Sequence, residues 1–259
     1  MKPPSLDPQE TWVLTANLLL SQLILLVIGV VGSIVLAGIA SGDWGGAALG
    51  FGWAEAIRRS LGAQPFAVTL VAGCGLAAAF TVVAYLAERR ALSTDAGRES
   101  VMRTRQGVNG ELARLPIPLV VVLMALTGFA EELLFRFALM GIVMQLLAPV
   151  LPGAVGAAIA LFVSSTVFWL SHVRYRDLAT TVLTLGLALV LGGAFLATGS
   201  LAVVAIAHAL YDIAVLAIAR IQMSRDPDYF GGPAPTRAML DQLEREEAAV
   251  VPDEQPSER

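Results

Sequence analysis

Six stretches of this chain are apolar over the length needed to cross a bilayer: Trp12 to Ala40, Ala63 to Leu86, Pro116 to Leu147, Ala154 to Val173, Ala179 to Ala197 and Leu201 to Ile221. A run of about 20 apolar residues, rising about 1.5 Å per residue, matches the hydrocarbon thickness. Peptide groups find no water there, so the backbone must satisfy itself as helices or as a closed barrel. None of the six runs alternates polar and apolar residues as barrel strands do, which leaves helices. With 56% apolar and 15% charged residues, the chain also has too little polar surface to coat a water-soluble globule. The expected fold class is all-α: a polytopic transmembrane bundle of about six spans.

The basic residues set the orientation. All but three of the 17 fall on one side of an alternating topology: Lys2, the six arginines from Arg89 to Arg114, Arg174, Arg176, and Arg220, Arg225, Arg237, Arg245 and Arg259 at and beyond the end of the last span. Arg58 and Arg59 lie on the other side, and Arg136 lies within a span. Because loops rich in Lys and Arg stay in the cytoplasm, both termini and the Arg-rich loop are expected there, with the bundle in the cell membrane. The N-terminus places Lys2 with Asp7 and Glu10 before a long apolar run, which reads as a retained span, not a cleaved leader. A single cysteine, Cys74, excludes an internal disulfide. The net charge of −4 gathers in the C-terminal tail and gives nucleic-acid binding no support.

Residues 1–114 thus hold two spans and the Arg-rich loop, read as a solvated connector. Residues 115–221 hold four spans, and 222–259 form a soluble tail in which Thr236 to Val250 suits a charged helix and Pro252 to Arg259 suits disorder. The stretch from Gly42 to Gly62 suits either a short interfacial helix on the outer face or a plain loop. The third run is long enough to require tilt, a kink or a start outside the hydrocarbon, and Pro116 and Pro118 mark its first turn as the expected break.

Glu131, Glu132, Arg136, His172, His208 and Asp212 fall within spans or at their ends, and the chain has no histidines besides these 2. Ionisable groups at mid-membrane cost about 2.5 to 3.5 kcal/mol each on insertion scales, so a set of them calls for a shared, lipid-excluded purpose. Glu132 and Arg136 are spaced i,i+4 with the acid first, the favourable order for a pair along one helix. Glu131 lies about 100° round from Glu132 and is left the freer carboxylate. Ser165, Phe168 and His172 share one face of the fourth span, and His208 and Asp212 one face of the sixth.

A carboxylate and two imidazoles in a wet intramembrane cavity have the ingredients of peptide hydrolysis. Glu131 takes a proton from water, His172 helps hold it, and His208 with Asp212 stabilises an oxyanion. The same Glu131, His172 and His208 could instead hold Zn²⁺, although the H-E-x-x-H signature is absent, so metal-dependent and metal-independent versions both stand. A serine-nucleophile reading lacks a supporting Ser and His motif. Other uses of the same residues are a non-catalytic scaffold or immunity-type protein, and a small transporter with a proton relay.

Three motifs in order, EELLFR at Glu131–Arg136, FWLSH at Phe168–His172 and HALYD at His208–Asp212, resemble those of the CPBP intramembrane proteases. That family includes CAAX prenyl endopeptidases and bacteriocin-processing or immunity proteins. The resemblance spans about Leu115 to Arg220, placing a CPBP-type core in the last four spans. It implies an endopeptidase with a peptide or membrane-protein substrate in the lipid bilayer. By this similarity Glu131 and His172 activate water, His208 and residue 212 line the oxyanion site, and Glu132, Arg136 and Phe168 support them. Asp212 stands where the family often has Asn; as a carboxylate it must be protonated or paired to serve an oxyanion. Phe137 stands where the family usually has Gly, which is expected to narrow either the local packing or the substrate path. The spans place His172 near the cytoplasmic end and His208 nearer the outer half, so a common site needs shifted boundaries or a deep cavity.

Overall fold

The computed structural model describes residues 6–172 and 178–225. The expected tail helix and disordered end, together with Lys2, Arg174 and Arg176, lie outside the described residues. Those described form α1 (Pro8–Ser41), α2 (Trp44–Ala48), α3 (Gly52–Leu61), α4 (Phe66–Ala91), α5 (Asp95–Gln106), α6 (Val108–Leu112), α7 (Ile117–Glu132), a π-helical segment (Leu133–Leu139), α8 (Met140–Leu147), α9 (Gly153–Ser171), α10 (Leu178–Thr198) and α11 (Leu201–Arg225). Six helices are long and apolar enough to cross a membrane, α7 through α8 counting as one. The molecule is an integral membrane protein.

Local chemistry fixes the ends of these helices. At the start of α1, the Glu10 amide donates to Asp7 at 2.7 Å and the Asp7 amide donates back to Glu10 at 3.2 Å, closing a capping box around Pro8. The helix stops where Gly42 adopts φ 71° and donates its N–H to the Gly38 carbonyl. Pro65, Pro116 and Pro152 precede α4, α7 and α9, where a missing N–H costs nothing.

One face of α1 leaves Leu20, Leu23, Val27 and Val31 more than half exposed, an apolar stripe that suits acyl chains and not water. The opposite face packs closely. A Cβ at Gly29 would stand 3.2 Å from the Leu133 side chain, and one at Gly32 would stand 2.9 Å from that of Ala138. Between α7 and α11 the approach is closer in kind, since a Cβ at Gly128 would meet backbone, 2.9 Å from the Ala209 nitrogen and 3.0 Å from the Ala205 oxygen.

Two expectations change. Pro116 and Pro118 begin the third spanning helix and do not break it; the departure from α geometry comes later, at Leu133–Leu139. Of the two readings of the Gly42 to Gly62 stretch, the helical one fits, for it holds α2 and α3. In α3, Ile57 is buried, Arg58 bonds Glu55 at the surface, and the buried Ser60 donates to the Gly199 carbonyl at 2.9 Å, tying α3 to the corner before α11. The Arg58 guanidinium holds the Glu55 carboxyl below its usual range. The Arg-rich loop is no plain connector either, for it folds into α5 and α6, and Arg105 of α5 pairs with Glu88 of α4.

Candidate active site

The π-helical segment positions the site. Met140 donates its N–H to the Phe135 carbonyl five residues back, and the Ser164 hydroxyl of α9 donates to that same carbonyl at 2.7 Å. Wider turns of this kind shift the register of every later side chain and recur at functional sites. Here they carry Arg136 inward, fully buried, with Nε 3.2 Å from Oε2 of Glu132 and Nη2 donating to the Ala188 carbonyl of α10 at 3.3 Å.

A buried ion pair has to recover its lost hydration from its neighbours. The centre of the Arg136 guanidinium stands 4.3 Å from the centroid of the Phe168 ring, which supplies a cation–π contact. Glu132, wholly buried, also receives Nδ1 of His208 at 2.8 Å. One carboxylate therefore faces two basic groups from different helices. Glu132, Arg136 and Phe168 thus form one contiguous buried layer, in which Glu132 and Arg136 pair as their i,i+4 spacing suggested.

Glu131 lies on the other side of this layer, facing a cavity. Its Oε2 is buried, has no hydrogen-bond partner, and stands 3.8 Å from Nε2 of His172 and 3.8 Å from Nε2 of His208. Those separations are too long for direct hydrogen bonds and within the reach of one bridging water. Local bonds orient both rings. Nδ1 of His172 lies 2.8 Å from the Phe168 carbonyl, which can only accept, so that nitrogen carries a proton and Nε2 is turned toward Glu131. The His172 ring also stacks on Phe168, centroids 4.4 Å apart. His208 is held through Nδ1 by Glu132, and its Nε2 stands 3.6 Å from Oδ2 of Asp212, so Asp212 is paired, as a carboxylate in that position requires.

The cavity measures ≈560 Å³ and is deep, reaching from His208 and Glu131 to Arg105 on α5. This depth lets His172, just past the end of α9, and His208, in the body of α11, share one space. Phe137 does not line it. That ring is packed among Leu133, Leu187, Leu191 and Val204, so of its two expected effects the one on local packing fits the structure. Gln22, Thr127, Tyr211, Glu88 and Arg105 do line the cavity and were not candidates from sequence. Gln22 was the most legible of them, a lone amide in an apolar run.

Fold and site together define an integral membrane protein with a buried carboxylate–imidazole cluster opening on an internal cavity. Residues 113–214 match the family described as type II CAAX prenyl endopeptidase Rce1-like, a segment that runs from just before α7 to just past Asp212 and takes in all three motifs. The match agrees with the resemblance drawn from those motifs, and over this segment the membrane protein is similar to CAAX proteases. No curated protein and no solved structure matches the chain.

Proposed function

We propose that the protein is an intramembrane endopeptidase that hydrolyses a peptide bond in a membrane-associated substrate, with Glu131 as the general base. The observation that carries this reading is the Glu131 Oε2 atom, buried, without a hydrogen bond, and equidistant from two imidazole Nε2 atoms. A water between Glu131 and His172 donates one hydrogen to each. As its oxygen attacks the substrate carbonyl, Glu131 takes its proton. The oxyanion that forms is stabilised by Nε2–H of His208 in its imidazolium form, whose Nδ1–H remains on Glu132. Asp212 orients His208 and offsets its charge. Collapse of the tetrahedral intermediate breaks the C–N bond, and Glu131 returns the proton to the leaving amine.

Zinc is the alternative activator. Glu131 Oε2 and Nε2 of His172 and His208 are the atoms that would hold it, and each histidine has its other nitrogen engaged, as ligating imidazoles do. A zinc ion there would act as a Lewis acid on the attacking water. Among the described residues no three potential ligands are spaced to hold an ion as they stand, so the steps above run through side chains alone.

We place both termini and the mouth beside α5 on the cytoplasmic side of the cell membrane, on the distribution of basic residues. The test is hydrolysis of an internally quenched peptide ending in a prenylated Cys-aliphatic-aliphatic-X tetrad, and of its unprenylated twin, by purified protein. Wild type cleaves at least one, and Glu131→Ala and His208→Ala cleave neither. Equal signal from all three proteins, or none from wild type, rejects the reading. Metal analysis of chelator-washed protein separates the two activators: full activity without bound metal assigns the chemistry to Glu131 and His172.

A further inference from the structure

We infer that Gln22 of α1 holds the main chain of the peptide substrate alongside Glu131, and that the bound segment is extended. This rests on the endopeptidase reading for the substrate's nature, but the residue lies outside the matched segment and outside all three motifs.

Gln22 is 6% exposed and lines the cavity that Glu131, His172 and His208 share. Its Oε1 is buried and has no hydrogen-bond partner. Lipid offers that oxygen nothing, so its partner must come from what the cavity holds, either water or a bound ligand. The contrast within the same helix is informative. Ser33, also buried on α1, returns its hydroxyl to the Gly29 carbonyl at 2.7 Å and needs nothing else. Gln22 has no such local solution.

Packing register gives its level. Helices α1 and α7 run parallel, with Gly29 against Leu133 and Leu134, Gly32 against Ala138, and Leu36 against Gly141. Continued back along α1, this register brings Gln22 level with Thr127, one turn or about 6 Å before Glu131. Thr127 lines the cavity too and shares a face of α7 with Glu131. A polar row of Gln22, Thr127 and Glu131 therefore follows one wall of an otherwise mostly apolar cavity.

A primary amide offers two donors and an acceptor. The groups on a peptide that match it in number and kind are main-chain N–H and C=O, and in a helix these are already bonded to each other. A helical carbonyl can still accept a second bond, but a helical N–H is already spent, so the orphaned Oε1 calls for an N–H from a segment out of helical conformation. The ligand class is thus an extended peptide main chain, with little dependence on its side chains at that subsite.

The experiment measures binding of the same prenylated peptide by fluorescence anisotropy, so that it does not depend on turnover. Wild type is compared with Gln22→Leu and Gln22→Asn, and each is tested with a series of peptides in which one amide at a time is replaced by an ester. Loss of one hydrogen bond should weaken binding of the all-amide peptide to Gln22→Leu by about fivefold. One ester position should weaken wild-type binding by a similar factor and cause no further loss in Gln22→Leu, the signature of a direct contact. Gln22→Asn should recover part of the affinity. Thermal stability of Gln22→Leu should equal or exceed wild type, because an orphan group is removed. Equal affinity of wild type and Gln22→Leu, or ester effects that persist unchanged in the variant, overturns the assignment. A peptide that binds in this pattern without being cleaved overturns the endopeptidase reading and leaves the Gln22 contact standing.

Discussion

The Nδ1 nitrogen of His208 stands 2.8 Å from Oε1 of Glu132, with both side chains sealed from solvent. Glu132 also faces Arg136 through its other oxygen, so one negative charge answers two basic groups. Removing one member of such a buried set strands the others.

Glu132→Gln keeps the shape and removes the charge. Breaking a buried pair from one side costs about 3 to 5 kcal/mol. The thermal midpoint in detergent should fall well below wild type, and any remaining folded protein should hydrolyse peptide poorly because His208 has lost its anchor. An unchanged midpoint would show that the Arg136–Glu132–His208 chain does not hold the bundle together.

Glu131→Gln should behave in the opposite way, although it is the adjacent residue. Its Oε2 accepts no hydrogen bond that stability depends on. A general base contributes about 10²- to 10⁴-fold to rate, so hydrolysis should fall within that range while the midpoint stays level or rises. The pair of thermal and kinetic measurements on the two variants separates a reacting carboxylate from a supporting one. A matched drop in stability for both would remove that distinction.

The sequence shows the bundle and the polar faces because both rest on short-range rules. Apolar length marks the spans, and i,i+4 spacing puts Glu132 with Arg136 and His208 with Asp212. Which carboxylate faces the cavity was also legible, since a rotation of about 100° separates Glu131 from Glu132. Hidden from sequence was whatever depends on helices meeting. The π-helical segment has no proline or glycine to announce it, and it is held by Ser164 from α9. The meeting of Arg105 on α5 with Glu88 spans seventeen positions, and the choice between local packing and substrate path for Phe137 turns on its non-local contacts with α10 and α11.

Gly128 sets the spacing between the helices that carry Glu131 and His208. A side chain there meets the backbone of Ala205 and Ala209, which cannot swing aside. Gly128→Val should therefore part α7 from α11, at a cost of about 1 to 3 kcal/mol for overpacking, and lower hydrolysis by more than the loss of folded protein explains. Gly75→Ala on α4 is the control, because a Cβ there meets nothing within 4 Å. Activity should survive in the control, and comparable loss in both would assign the effect to general damage.

Arg105 and Glu88 join α5 to the end of α4, and both line the cavity. The other arginine–carboxylate pairs on α5, Arg98 with Asp95 and Arg103 with Glu99, are local to the helix and do nothing to hold it against the bundle. Among the described residues, Arg105 with Glu88 is an ion pair that ties α5 to α4, partly buried with side-chain exposures of 12% and 27%. Such a pair is worth about 1 kcal/mol, so Glu88→Gln should speed amide exchange across Asp95–Gln106 by about fivefold and leave α11 unaffected. The double reversal Glu88→Arg with Arg105→Glu should restore much of the protection by remaking the pair with its signs exchanged. If exchange in α5 is the same in wild type and Glu88→Gln, the helix is held over the cavity by its apolar contacts, and this pair does not govern access to Glu131.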